Sequence, residues 1–324
     1  MSGRTIVASA PARVDLAGGW TDVAPYTTEV GGAVCNVAIE LRATAVVRTT
    51  VGVGETVMTP MDPPLEPLVR AAWERAGRPS VSLSLTSGIP LGSGLGGSSS
   101  AGVALAAALA ACREIRLSPA DLAELSRSTE TETLGLAGGC QDHYAAAFGG
   151  ALLLRCGVET VAERVPMSDA TVAAFESRVL VGYTGTSRMS SQTIVAVLEA
   201  WRAGDEATGA ALAAMADLAP RMAAALGGGD IDLLGTLISA QWDAQRALHP
   251  TITTPLIDQI VSEVSKAGAL GTKALGASAG GCVLVVARAD RVEAVRATLA
   301  RRTQLIPVQV ARTGVQVHDS QGTA

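Results

Sequence analysis

The 324-residue sequence predicts two α+β domains, and three observations point there. Segments of the first half, such as Val81-Ser-Leu-Ser-Leu-Thr-Ser87, alternate apolar and polar residues as half-solvated antiparallel strands do. A glycine- and serine-dense turn, Gly92 to Ser100, runs straight into an apolar helix. The last part of the chain reads strand, helix, strand, an order that suits a ferredoxin-like domain. The length accommodates two cores, and the division is placed at 1–165 and 166–324, with the boundary near Ala162 to Asp169. Hydrophobic residues make up 48% and charged residues 17%, which excludes a largely disordered chain. With aromatics at 3%, the cores must be built from Ala, Val, Leu and Ile.

In chain order, Thr5 to Ala10 reads as a strand leading into Pro11 to Asp22, where Gly18-Gly19 breaks the pattern and sets polar groups on a turn. Gly31-Gly32 opens a strand over Ala33 to Ile39; Arg42 to Thr50 is another, closed by a turn at Gly52 and Gly54. Pro64 to Ala76 is a short helix, broken at Gly77 and Pro79, before Val81 to Leu85 returns to strand. Ala101 to Cys112 is apolar on every side and therefore a buried helix. Ser118-Pro119 supplies an N-cap and a first-turn proline for a helix reaching about Glu132. Val179 to Tyr183 is a buried strand followed by a polar turn, Thr184 to Arg188. Helices are expected over Ser191 to Ala203, Ala207 to Leu226, Ile231 to Leu248 and Pro255 to Ala267, with Trp242 and His249 as packing residues. Gly281 to Ala287 (strand), Asp290 to Arg301 (helix) and Gln304 to Val310 (strand) complete the pattern, and the polar tail from Thr313 is expected to be loose.

The glycine–serine turn is the chemical centre. Glycines bring backbone amides close to a ligand, and a helix start offers unpartnered N–H groups and the positive end of its dipole, which together suit phosphate. Ser98 and Ser99 can cap the helix, and a hydroxyl there can also reach a metal ion. A Walker P-loop fails for want of a lysine anywhere between Met1 and Val264. Gly92, Gly94 and Gly97 do fit the dinucleotide pattern G-x-G-x-x-G, but the alternating strand before them speaks against a buried parallel strand. A lysine-free, serine-rich phosphate loop and a plain flexible turn are the remaining readings. Arg13, Asp15 and Asp22 are close enough in sequence to converge on one ligand, although an isolated arginine more often pairs with an acid for structure alone. Asp142, in Gly135-Leu-Ala-Gly-Gly-Cys-Gln-Asp-His-Tyr144, is either a base beside the phosphate site or the cap of the next helix. Glu130, twelve residues earlier, could ligate Mg²⁺ with a loop serine. Thr186 and Arg188, with Ser187, suit either a phosphate already on a substrate or an ordinary strand-to-helix turn capped by Ser187 or Ser190.

Five cysteines, widely spaced and without a C-x-x-C pair, suggest neither a disulfide framework nor a zinc site, and the three histidines are scattered. A net charge of −5 without a Lys/Arg cluster argues against broad nucleic-acid binding. The N-terminal residues have no apolar signal-like run, and Ala101 to Cys112 is too short to span a bilayer. A cytoplasmic enzyme or binding protein with no membrane partner is the expectation.

Three ordered segments, PARVDLAGGWTD, PLGSGLGGSSSAG and LGASAGGC, resemble the motifs of the GHMP kinases (galactokinase, homoserine kinase, mevalonate kinase, phosphomevalonate kinase) across nearly the whole chain. GLAGGCQDHYAAAFGG, VGYTGTSR and the segment from Gln241 to Pro250 are similar to the sugar 1-kinases of D-glycero-D-manno-heptose 7-phosphate, and AGGWTD also to the L-fucokinase kinase domain. The resemblance implies a ribosomal protein S5 domain 2-like N-terminal domain, a ferredoxin-like C-terminal domain, and a cleft binding ATP and Mg²⁺. It implies that Gly92, Ser93, Gly94, Leu95, Gly96, Gly97, Ser98 and Ser99 wrap the phosphates and that Ser99, with Ser98, and Glu130 hold Mg²⁺. It further implies that Asp142 faces the attacking sugar hydroxyl, that Arg13 keeps Asp142 ionised, and that Gly18, Gly19 and Asp22 contact sugar hydroxyls. A monomer or homodimer acting on a sugar or sugar phosphate follows. A nucleotide- and sugar-binding sensor without turnover and a dinucleotide-dependent oxidoreductase are the competing classes. Ser278 and Ala279 stand where this subfamily tends to have glycine and are expected to narrow the phosphate end; His143 replaces a more usual Gln and is expected on the sugar side; Thr131-Glu-Thr replaces a segment that usually carries a basic residue.

Overall fold

The computed structural model describes residues 4–49, 57–58, 65–185 and 191–320. Strand β1 (Thr5–Ala17) pairs antiparallel with β2 (Gly32–Thr49) from Thr5↔Arg48 to Ala17↔Cys35, with register shifts at Pro11/Ala12 and Asp15/Ala17. The two strands expected between Ala33 and Thr50 are thus one long strand. Its first half pairs with Ala151–Cys156 and its second half with Val81–Ser87, so one strand serves two partners besides β1. Between β1 and β2 lies a one-turn helix, α1 (Tyr26–Glu29), that the sequence reading did not foresee. β3 (Val57–Met58) runs parallel to β4 (Val81–Ser87), and α2 (Glu66–Arg75) connects them. The turn expected at Gly52 and Gly54, and the start of the helix expected at Pro64, lie outside the described residues.

Along β4, Val81, Leu83 and Leu85 are buried and Ser82 and Ser84 are not, the half-solvated alternation expected. Helix α3 (Gly97–Cys112) is buried continuously from Ser99 to Leu109, in keeping with its unbroken apolar sequence. α4 (Pro119–Ser128) starts with a reciprocal cap between Ser118 and Asp121 and runs into a wide π turn, Thr129–Thr133, in place of a helix to Glu132. α5 (Gln141–Phe148), β5 (Ala151–Cys156) and β6 (Val161–Val165) complete the first half.

The second sheet holds β7 (Val179–Tyr183), β8 (Ala269–Ala274), β9 (Cys282–Ala287) and β10 (Gln304–Ile306) in the order β10-β7-β9-β8, the split arrangement of a ferredoxin-like unit. α6 (Asp169–Arg178) leads into β7; α7 (Ser191–Arg202), α8 (Glu206–Gly228), α9 (Ile231–Ala247) and α10 (Pro255–Ala267) join β7 to β8; and α11 (Val292–Ala300) joins β9 to β10. α8 lies against β1 and β2, and α9 against β8 and β9, so these helices sit between the two sheets. Trp242 is buried as expected; His249 is only half-buried, and its Nδ1 accepts the Thr251 amide (3.2 Å) at the head of the 3₁₀ turn Pro250–Ile252. The tail expected to be loose forms β11 (Gln316–Ser320), paired antiparallel with β1. Residues 166–168, where the expected division falls, connect β6 of the first sheet to α6, while β11 returns to the first sheet and Trp20, Val23 and Tyr26 sit in the apolar cluster of the second. No helix among the described residues is long and apolar enough to cross a membrane.

Candidate active site

The turn before α3 takes left-handed φ at Gly92, Gly94 and Gly96. Gly96 is the N-cap, and no side chain caps the helix. Ser98 and Ser99 therefore lie inside the first turn and do not cap it, while the Ser100 hydroxyl bonds the Gly96 and Pro11 carbonyls (2.9 and 2.8 Å). The amides of Gly97, Ser98 and Ser99 lie in the first helical turn, where no intrahelical acceptor exists. Ser93 and Leu95 turn inward. The Ser93 carbonyl accepts the Cys282 amide (2.8 Å), and buried Leu95 accepts the Arg13 amide on its carbonyl (3.1 Å). At Gly94 the turn packs closely on the chain between β8 and β9: a Cβ there would stand 2.6 Å from the Leu275 carbonyl oxygen.

Within the first turn of α3, the Ser98 hydroxyl donates to Glu130 Oε1 at 2.6 Å and the Ser99 hydroxyl to Oε2 at 3.5 Å. The π turn carries Glu130 to this point. His143 Nε2 approaches Glu130 Oε2 at 3.4 Å, and its Nδ1 meets Ser126 Oγ at 2.9 Å. His143 thus faces the serine–glutamate cluster, not the sugar side where it was expected. Burial pushes the Glu130 carboxyl up, but His143 and the two serine hydroxyls outweigh it and hold the group below its usual value.

Opposite this cluster, Arg13 on β1 gives both Nε (2.7 Å) and Nη2 (2.6 Å) to Asp142 Oδ1, and its Nη1 to the Gly94 carbonyl (2.5 Å). Asp142, in the first turn of α5, is paired with Arg13 and is not an N-cap; its side chain remains 24% exposed. A Cβ on Gly96 would stand 3.2 Å from Asp142 Oδ2, so the carboxylate lies over the start of α3. Asp22 is buried beneath and accepts the Gln141 amide on Oδ2 (3.0 Å); Gly139 is glycine because any Cβ would run into that carboxylate. Burial pushes the Asp22 carboxyl up to about 6; the Gln141 hydrogen bond opposes this, and the charges of Asp142 and Asp15 add to it. The Gly18 amide bonds Gln241 Oε1 (3.3 Å), and Gly19 lies against Asp15 and Gln141. Thr186 and Arg188 fall outside the described residues.

Two features were missed by the sequence reading. Lys273, two residues before the third motif, is fully buried, and its Nζ reaches Asp15 Oδ2 at 2.7 Å. Beside α3 lies an apolar cavity of about 220 Å³ between α2, α3 and α4, whose lining includes Leu68, Ala72, Gly102, Ala106 and Thr129. The small residues facing each other on α2 and α3 were its available signal.

The GHMP kinases N terminal domain family matches residues 66–150, and the GHMP kinases C terminal family residues 222–303. The chain is 26% identical over 304 residues to the D-glycero-alpha-D-manno-heptose 7-phosphate kinase of Campylobacter jejuni, covering 86% of this chain and 88% of that one. It is 30% identical over 262 residues to the galactokinase of Mycobacterium bovis, covering 71% and 72%. The fold is that of a crystal structure of a D-glycero-D-manno-heptose 1-phosphate kinase from Bacteroides thetaiotaomicron, with a TM-score of 0.78 at 23% identity over 98% of this chain and 100% of that one. With both family domains in order, the galactokinase likeness spanning most of each sequence, and the serine–glutamate and arginine–aspartate pairs meeting at one helix start, this chain belongs to the GHMP kinase family.

Proposed function

We propose that the protein transfers the γ-phosphate of ATP to the anomeric hydroxyl of D-glycero-D-manno-heptose 7-phosphate, giving the 1,7-bisphosphate. The observation that carries this reading is Asp142 lying over the start of α3, with Arg13 bound to one carboxylate oxygen only. Oδ2 is left for an acceptor hydroxyl beside an anion-binding helix end. The acceptor is chosen from the Campylobacter relative's substrate and from the motif forms quoted above.

The amides of Gly97, Ser98 and Ser99 would hold the nucleotide phosphates, and the apolar cavity one turn further along α3 would take the purine. Ser98, Ser99 and Glu130 fit Mg²⁺: they are hard oxygen donors, and among the described residues no cluster of three or more His, Cys, Asp or Glu exists that would form a full protein cage. Bound there, the ion would neutralise phosphate charge. Asp142 orients the hydroxyl and receives its proton on Oδ2, Arg13 fixes the carboxylate, and the buried Asp22 braces the α5 start from below through the Gln141 amide. Positioning and charge neutralisation are what phosphoryl transfer needs. Arg188 and Thr186 would hold the phosphate already on the heptose.

An ADP-release assay over heptose 7-phosphate, free L-fucose and free galactose, with NMR of the product, tests the reading. Fastest turnover and a new anomeric phosphate are expected with the heptose phosphate. Preference for a free sugar selects the fucokinase-like alternative, and nucleotide binding without ADP selects a sensor. Asp142→Asn is expected to lower kcat by roughly 10²–10⁴-fold while ATP still binds; ordinary turnover would remove Asp142 from the mechanism.

A further inference from the structure

Lys273 and Asp15 form an ion pair with almost no contact with water: the lysine side chain is 0% exposed and the aspartate 3%. Lys273 comes from β8 of the second sheet and Asp15 from β1 of the first, 258 residues apart. The ammonium spends its donors on Asp15 Oδ2 (2.7 Å), the Asp15 carbonyl (3.1 Å) and the Leu16 carbonyl (3.4 Å). Asp15 Oδ1 is buried with no hydrogen-bond partner. Burial lowers the Lys273 pKa; Asp15 opposes this and nearby Arg13 adds to it, so the two cations lie within electrostatic reach of each other. Such a pair is an expensive way merely to join two layers, since apolar side chains of similar size usually do so at no loss of stability.

The arrangement of β1 supplies a reason for it. Arg13 and Asp15 are two residues apart on one strand and so point to the same face. A buried carboxylate deprived of its cation must either take up a proton or pair with another cation within reach. For Asp15, that cation would be Arg13, whose guanidinium is committed to Asp142 and the Gly94 carbonyl. We propose that Lys273 is a positioning residue: by holding Asp15 it keeps that acid off the Arg13 guanidinium and leaves Arg13 to Asp142. Charges then alternate along the row Lys273, Asp15, Arg13, Asp142, and the end member is the only one open to a substrate. The same lysine stands at the entrance to the third motif, whose Leu275 carbonyl packs on Gly94, so the ion pair also ties the phosphate turn to the base.

The inference rests on the kinase reading, and its test separates the two. Wild-type protein that turns over no sugar overturns the kinase reading. The position of the Arg13 guanidinium in a crystal structure of Lys273→Met tests the pairing without any substrate. There Arg13 is expected on Asp15; an unchanged Arg13–Asp142 pair overturns the proposal. In the assay, Lys273→Met is expected to lower kcat by roughly 10²-fold, the scale of a small misplacement at a reacting centre, with KM for ATP within about threefold. Asp15→Asn/Lys273→Met, which removes both charges, is expected to return kcat to within about tenfold of wild type. A double variant no better than the single one, compared at equal folded fraction, makes Lys273 a simple strut and overturns the proposal. Should Lys273→Met not fold, Lys273→Gln takes its place with the same expectations, because the amide can still donate to the two backbone carbonyls without carrying charge.

Discussion

The turn before α3 and the turn between β8 and β9 face one another, and both need left-handed backbone. In the first, every such residue is a glycine: Gly92, Gly94 and Gly96. In the second, Gly276, Gly280 and Gly281 share the task with Ser278 at φ 71° and Ala279 at φ 68°. The first turn has no freedom to do otherwise at Gly94, where the opposing backbone leaves no space for a Cβ. The second is anchored at several points: Leu275 and Cys282 pair across its neck (2.8 Å), the Cys282 amide reaches Ser93, and the Ala279 amide reaches the Ile252 carbonyl (3.0 Å). That scaffold holds two side-chain-bearing residues in a conformation costing roughly 1–2 kcal/mol each. Ser278 and Ala279 are both buried, so the visible consequence of their replacing glycine is backbone strain. Glycine is thus demanded by steric approach at Gly94 and, across from it, at Gly281, where a Cβ would stand 2.8 Å from the Ser93 carbonyl oxygen, whereas at Ser278 and Ala279 it is only preferred for conformation.

The sharpest way to break this contrast is Gly94→Ala. It forces a Cβ onto the Leu275 carbonyl and adds a left-handed alanine, and a loss of roughly 3 kcal/mol or more in denaturant unfolding is expected. A loss below about 1 kcal/mol would mean that the turns part easily. Neither turn's strain should titrate, whereas that of Asp22 should. Its carboxyl is raised from 3.8 to about 6, so between those values the folded protein keeps a proton that the unfolded chain has released. Stability from this group therefore falls as pH rises through that window, and the cost is complete above it. Asp22→Asn removes the cost: at pH 7 the variant is expected to be more stable than wild type by up to about 3 kcal/mol, and below about pH 4 equal to it. Parallel stability–pH curves for the two proteins would show that Asp22 titrates normally. The smallest expected effect is that of Ala279→Gly, which relieves left-handed strain but adds unfolded-state entropy, for a net gain of about 0.5–1 kcal/mol. A net loss would show that the methyl group's packing outweighs the strain.

The phosphate turn and the buried helix were legible because each is a short segment with its own pattern, whereas the pairing of Arg13 with Asp142, 129 residues apart, was implied only by the family resemblance. The direction of His143 was legible in principle: on a helix it lies about 100° from Asp142, so the two could not face the same ligand. The Lys273–Asp15 pair carries no local signal, since only the packing of one sheet on the other brings residues so distant in sequence together. Ser98 and Ser99 had the right composition for caps, but a left-handed Gly96 took that position and freed their hydroxyls for Glu130. β11 was missed because a short, wholly exposed edge strand has no buried face to give it a hydrophobic period.

Each sheet borrows from the other half of the sequence. The last strand crosses back to complete the first, and Trp20, Val23 and Tyr26 are sunk into the apolar cluster of the second. Severing the chain between 165 and 166 would strip an edge from one piece and open a hole in the other, leaving two fragments that each expose grease made to be covered. The site is accordingly walled by interlocked halves, and neither fragment alone would carry it whole.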